Sequence, residues 1–224
     1  MNQYLIDDKI LSVYENKAPS GPIIYLHTVS EEADQIYETL KKTTCSPFTL
    51  AVVSGLNWNY DMAPWDSPSV VKNGPPCTGG ADKYLEFMLK KIVPETEKGL
   101  LGNVTWRGIA GYSLAGLFAV YALYRTEIFS RAASISGSLW YPGFKEYVFS
   151  HEMKEKPNAL YFSLGNKEDR TRNPYLRNVK KYTEEIQTFC ESKDINTVFQ
   201  IHPGGHYHDT VKRTAAGIAW ILER

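Results

Sequence analysis

The 224 residues carry 25 Lys plus Arg against 25 Asp plus Glu, and 43% of them are hydrophobic. That size and apolar content suit one globular domain spanning 1–224, and the zero net charge gives no electrostatic reason to expect nucleic acid or an anionic membrane as partner. Three widely spaced cysteines, Cys45, Cys77 and Cys190, fit a reducing compartment better than a disulfide framework, and none has metal-ligand spacing.

The chain opens with Met1-Asn2-Gln3-Tyr4-Leu5-Ile6-Asp7-Asp8, which has neither a basic nor an apolar targeting region. No apolar run approaches membrane-spanning length, so a cytoplasmic location is expected. Residues 4–15 alternate loosely and predict a strand or hairpin, and Pro19 to Gly21 a turn. Ile23-Ile24-Tyr25-Leu26-His27 reads as a short buried strand with a structural histidine at its end. Glu31 to Lys42 has acids first and bases last, the order a helix dipole favours, with Ser30 as its expected N-cap. Phe48 to Val53 is a second buried strand. The loop after it continues to about Gly80 and holds Trp58, Tyr60 and Trp65, which argue against disorder. It leaves the C-terminal end of a strand, where α/β sheets place ligands. Trp58 and Trp65 are therefore read as parts of a substrate-facing wall rather than as anchors of a surface loop. Asp82 to Lys98 is helical by its spacing of Leu85, Met88, Leu89, Ile92 and Val93.

Val104 to Ala110 then predicts a strand, Gly111-Tyr112-Ser113-Leu114-Ala115-Gly116 a tight turn, and Leu117 onward a helix. Further strands are expected at 132–137, 159–165 and 197–201. Helices are expected at about 143–154, from Asn173-Pro174 to about Cys190, and from His208 to Leu222. Strands alternating with helices predict an α/β fold with a mostly parallel sheet and helices on both faces. The interval between 137 and 159 is too short for a large lid domain.

Strand, tight turn with a central serine, then helix is the nucleophile elbow of the α/β-hydrolases. Its neighbours must be small, and Gly111 stands at −2. Ala115 stands at +2, where the pattern usually has glycine, and Gly116 keeps the turn roomy. The order Ser113, Glu168, His206 places nucleophile, acid and base after three different strands. A serine hydroxyl is a poor nucleophile until a histidine takes its proton and a carboxylate holds that histidine. His206 follows two glycines and is favoured over His202 and His208, and Glu168 is favoured over its neighbour Asp169. His151 reads as a surface residue. An oxyanion hole needs two N–H groups: Leu114 supplies one, and Gly55 or Leu56, after the strand ending at Val53, the other.

Gly111-Tyr112-Ser113-Leu114-Ala115-Gly116, Leu164-Gly165-Asn166-Lys167-Glu168 and Gly204-Gly205-His206 resemble the Putative esterase family of α/β-hydrolases. That family includes enterochelin and related siderophore esterases, S-formylglutathione hydrolase, feruloyl and acetylxylan esterases and the mycolyltransferases. The compact chain is similar to the enterochelin-esterase-like branch. Asp61-Met62-Ala63-Pro64-Trp65 looks like that family's Asp-x-x-Pro element, and the match favours Leu56 over Gly55. The resemblance implies hydrolysis of a small-molecule ester by Ser113, Glu168 and His206, with Leu56 and Leu114 as oxyanion donors and no cofactor or metal. The ester is siderophore-like or of another kind. Acyl transfer, thioester hydrolysis and a non-catalytic binding role are the alternatives. Arg170 and Arg172 are the only basic residues expected near the mouth, which is no cluster for a catechol siderophore.

Overall fold

The computed structural model describes residues 1–15, 18–44, 46–70, 74–100 and 102–224, so Cys45 lies outside it. A hairpin of β1 (Asn2–Ile6) and β2 (Lys9–Tyr14) leads into β3 (Ser20–His27), α1 (Ser30–Thr43) and β4 (Thr49–Ser54). A loop follows, holding the short α2 (Trp58–Asp61) and the two-residue strands β5 (Asp66–Ser67) and β6 (Cys77–Thr78). Next come α3 (Ala81–Phe87), a π-helical turn (Met88–Ile92) and α4 (Val93–Lys98). The rest alternates: β7 (Asn103–Tyr112), α5 (Leu114–Arg125), β8 (Arg131–Ile135), α6 (Phe144–Ser150), β9 (Ala159–Gly165), α7 (Val179–Ser192), β10 (Asn196–His202) and α8 (Thr210–Leu222).

Eight strands form one sheet in the order β1-β2-β4-β3-β7-β8-β9-β10. The hairpin and its junction with β4 are antiparallel; every pair from β4 to β10 is parallel. Side chains alternate between the faces of a strand. Ile23 and Tyr25 of β3 join the core under α3, α5, α6 and α7, while Ile24 and Leu26 join the one under α1 and α8. Both faces are therefore covered, which is why these strands read as continuous apolar runs. Helix α5 is buried from Ala115 to Tyr124, and its sequence is correspondingly apolar all round. Between β8 and β9 the chain forms only α6, so no helical cap rises there.

Three local expectations need correction. The N-cap of α1 is Val29, not Ser30, with no side-chain cap; the Thr28 hydroxyl instead donates to Glu32 Oε2 at 3.0 Å. Helix α7 begins at Val179, because Asn173 Oδ1 accepts the N–H groups of Tyr175 and Leu176 and closes a separate turn there. The helix predicted to begin near Asp82 passes through a π turn just before Pro94, which has no N–H to give the preceding turn.

The loop after β4 is anchored by Trp65. Its indole N–H donates to the Pro142 carbonyl at 2.9 Å, and its ring packs against Tyr121, Tyr141, Phe144 and Tyr147. The Tyr141 hydroxyl donates to the Trp65 carbonyl at 2.5 Å. The structure thus places the half-buried Trp65 ring in an aromatic cluster with its single donor satisfied, an anchor of the loop rather than the substrate wall expected from the sequence. Truncation should cost what a core aromatic costs. Trp65→Ala is expected to lose about 3–5 kcal/mol in chemical denaturation, with kcat/KM reduced by the same factor for aryl and short alkyl esters. A selective loss on aryl esters with unchanged stability would contradict the anchor assignment.

Candidate active site

Ser113 sits between β7 and α5 with φ 59° and ψ −120°, a conformation costly for any residue with a Cβ. Hydrogen bonds hold it there. Its N–H donates to the Ile135 carbonyl at 3.0 Å, and its carbonyl accepts from Ser138 at 3.0 Å and Leu117 at 3.1 Å. The turn closes so tightly that a Cβ on Gly111 would lie 2.5 Å from Ala115 backbone atoms. Backbone atoms and the Cβ of Ala115 are equally close, so the glycine at −2 is obligatory.

The loops after β9 and β10 are laced together. Asn166 donates its N–H to the His202 carbonyl at 2.8 Å, Lys167 to Gly204 at 3.1 Å, and Gly204 to Asn166 Oδ1 at 3.0 Å. Gly204 takes φ +98°, and a Cβ there would enter the His208 ring. This lacing sets His206 over Ser113 and against Glu168. His206 Nε2 lies 3.1 Å from Ser113 Oγ, and Nδ1 lies 2.7 Å from Glu168 Oε2. The other candidates stand aside. His202 meets the Tyr161 hydroxyl at 3.1 Å, with burial lowering its pKa. His208 faces Asp209 at 3.4 Å. Asp169 has no part in the chain of contacts. His27 is fully buried against Tyr84 and Phe118, and burial lowers its pKa to about 4.

Three residues around this chain were not singled out from the sequence. Arg213 of α8, almost fully buried, donates to Glu168 Oε1 at 2.8 Å, to Ser136 Oγ and to the Gly205 carbonyl. Ser136 Oγ lies 2.7 Å from the same Oε1, and Tyr112 donates its hydroxyl to the His206 carbonyl at 2.5 Å. The Gly165 N–H adds a further bond to Oε1 at 2.5 Å. Burial alone would raise the Glu168 carboxyl. Its bonds from His206, Arg213 and Gly165 outweigh that and bring it down to about 2, so it is ionised at neutral pH. A signal for Arg213 existed: it is a lone cation in the i, i+4, i+8 series Arg213, Gly217, Ile221, the buried side of α8.

Leu114 is the first residue of α5, where a helix N–H has no intrahelical partner and the dipole favours negative charge. Strand register aligns Val53 with His27 and His27 with Gly111, so the Gly55-Leu56 turn leaves the sheet at the same edge as Ser113. Two hollows of about 350 Å³ each flank Ser113 and share it with His206 and the exposed Tyr207. The first is lined by Thr28, Glu32, Trp58, Tyr112, Leu114 and Thr210; the second by Val70, Ser138, Trp140, Leu176 and Val179. Trp58 thus faces the site and Trp65 does not. A further hollow of about 400 Å³, near Phe149, Met153 and Phe189, touches none of these residues. Among the described residues, no helix is long and apolar enough to cross a membrane, and no group of three His, Cys, Asp or Glu side chains could hold a metal ion.

The same architecture occurs in solved structures. An IroE-like serine hydrolase from Shewanella oneidensis superposes with a TM-score of 0.80 at 18% identity, over 96% of this chain and 76% of that one. The siderophore hydrolase EstB from Aspergillus nidulans gives 0.76 at 17% identity, over 99% and 95%. These likenesses establish the α/β-hydrolase fold. In sequence, the Bacillus subtilis (strain 168) protein YbbA is 27% identical over 138 residues, which are 59% of this chain and about half, 54%, of that protein. The family model described as Putative esterase matches residues 26–220. With every strand from β4 to β10 inside that match, the chain belongs to the Putative esterase family.

Proposed function

We propose that the protein is a serine esterase in which Ser113, His206 and Glu168 form the catalytic triad. The observation that carries this reading is the unbroken path from Ser113 Oγ through His206 to Glu168, at 3.1 and 2.7 Å. His206 Nε2 takes the Ser113 proton as Oγ attacks the ester carbonyl. The carbonyl oxygen becomes an oxyanion that accepts from the Leu114 and Leu56 N–H groups. The alcohol leaves with the proton from His206, giving an acyl-serine. Water then attacks under His206 base catalysis and frees the acid and Ser113. Glu168 keeps Nδ1 protonated and offsets the imidazolium charge. Arg213, Ser136 and Tyr112 act through Glu168 and His206 as positioning residues.

The hollows suit a small-molecule ester with one part on each side of Ser113. Trp58 offers a flat apolar surface for one of those parts. The related structures named as siderophore hydrolases make siderophore lactones one substrate class to assay, beside aryl, alkyl and thioesters.

Ser113→Ala is expected to lower kcat on p-nitrophenyl acetate about 10⁴-fold while folding normally, leaving oxyanion-hole and binding effects. A fluorophosphonate should label Ser113 in the wild type only; near-full turnover by the alanine variant would sink the proposal. Trp58→Ala should reduce kcat/KM more for aryl than for short alkyl esters with little change in Tm, the reverse of the pattern for Trp65. A third expectation concerns pH. The folded carboxyl of Glu168 lies near 2, against 4.5 for an ordinary glutamate. Its contribution to stability is therefore complete above about pH 4.5 and is lost as pH falls toward 2. In Glu168→Gln the slope of unfolding free energy in that window should be shallower by up to about 1.4 kcal/mol per pH unit, one proton's worth. Equal slopes in acid denaturation series would refute the depressed pKa.

A further inference from the structure

The hollow beside Leu114 contains a carboxylate and, among the described residues, no Lys or Arg. The carboxylate is Glu32, half-buried near the start of α1 and in no ion pair among the described residues. It is held from two places at once, the connection after β3 and the start of α8. Oε2 accepts the Thr28 hydroxyl at 3.0 Å, and Oε1 accepts the Thr210 hydroxyl, from the first residue of α8, at 2.5 Å. Each carboxylate oxygen keeps lone-pair capacity beyond its single hydroxyl partner. Trp58, Tyr112 and Tyr207 line the same hollow.

A fixed carboxylate with the Trp58 and Tyr207 rings beside it in a half-enclosed space has a definite chemistry; the Tyr112 ring already carries the Arg213 guanidinium 5.5 Å from its centroid. An anionic group would meet uncompensated negative charge. A neutral group would draw little from the charge. A cation gains from the carboxylate and from the electron-rich ring faces together. Glutamates in a first helical turn also complement the helix dipole, but Glu31 is available for that on the solvent side of α1.

We propose that this hollow binds an organic ammonium group, so that the preferred esters carry a positive charge on the part lying beside Trp58, with Glu32 setting the preference. The inference rests on the serine-esterase reading for the placement of the scissile bond at Ser113. Its test separates the two. Choline and its uncharged isostere 3,3-dimethyl-1-butanol are titrated by calorimetry into the wild type, Ser113→Ala and Glu32→Gln. Choline should bind at least about tenfold more tightly than the isostere in the first two proteins. The ratio should fall to within about twofold in Glu32→Gln. The same ratio should appear in kcat/KM for choline acetate against 3,3-dimethylbutyl acetate. A wild-type ratio near one, undetectable choline binding, or a ratio that survives Glu32→Gln would overturn the inference. The wild-type ratio needs no variant to fold. A Glu32 that only ties α1 to α8 would lower Tm in Glu32→Gln and leave the wild-type ratio near one. Full turnover by Ser113→Ala would remove the esterase reading while leaving the binding result intact.

Discussion

The buried pair of Glu168 and Arg213 is the constraint on which the site depends. Their side chains are 4% and 2% exposed, and burying two ions costs several kcal/mol each before any attraction is counted. That cost is met only because the remaining carboxylate capacity is filled: His206 on Oε2, and Arg213, Ser136 and the Gly165 N–H on Oε1. The partners come from four places in the chain, namely α8, the end of β8, the end of β9 and the loop after β10. One carboxylate therefore ties the C-terminal edge of the sheet to the last helix. Removing Arg213 would leave a buried anion with its charge partner gone, which is more damaging than never having had the pair.

The elbow imposes a steric constraint of the same kind. Ser113 takes a positive φ at a turn where β7 and α5 approach so closely that a Cβ at Gly111 has no room. The packing of α5, buried along most of its length, supplies the energy that keeps the turn strained. Strain at the serine and burial of the helix behind it are thus two sides of one arrangement. The helix cannot slide outward to relax the turn without exposing Leu117, Phe118 and Val120.

Much of this was legible in the sequence because the relevant signals are periodic or local. Short apolar runs marked the parallel strands, and the Ser, Glu, His order with small residues around Ser113 marked three side chains that the fold brings within hydrogen-bond distance, Ser113 of His206 and His206 of Glu168. Side-chain direction within a loop was not legible. Trp58 and Trp65 lie in the same segment with the same chemistry, yet one faces the hollow and the other is claimed by Pro142, Tyr141 and Tyr147. Those partners come from 76 or more residues away in the hydrogen bonds, so no local pattern foretells them. Arg213 was obscured differently. It stands beside Lys212 in a stretch that reads as a basic helix start, and only the phase of the later apolar residues reveals that it points inward.

The antiparallel hairpin at the start of the chain belongs to the same arrangement, although no catalytic candidate lies on it. Lys9 of β2 is buried and places its Nζ 3.1 Å from Asp61 Oδ2, whose own side chain is 7% exposed. That oxygen also accepts the Asn57 N–H at 2.7 Å. Asn57 directly follows Leu56, so the carboxylate fixes the turn that presents the Leu56 N–H in the proposed reaction. Gly55 enters that turn with φ +75°, and a Cβ on it would press on the Asp8 carbonyl at 3.0 Å. The hairpin thus contacts the turn through its backbone and, by way of Asp61, through a buried ion pair. An oxyanion donor works only if it is aimed before charge develops. In the proposed reaction, the two strands that break the parallel pattern of the sheet would hold that turn in place through these contacts.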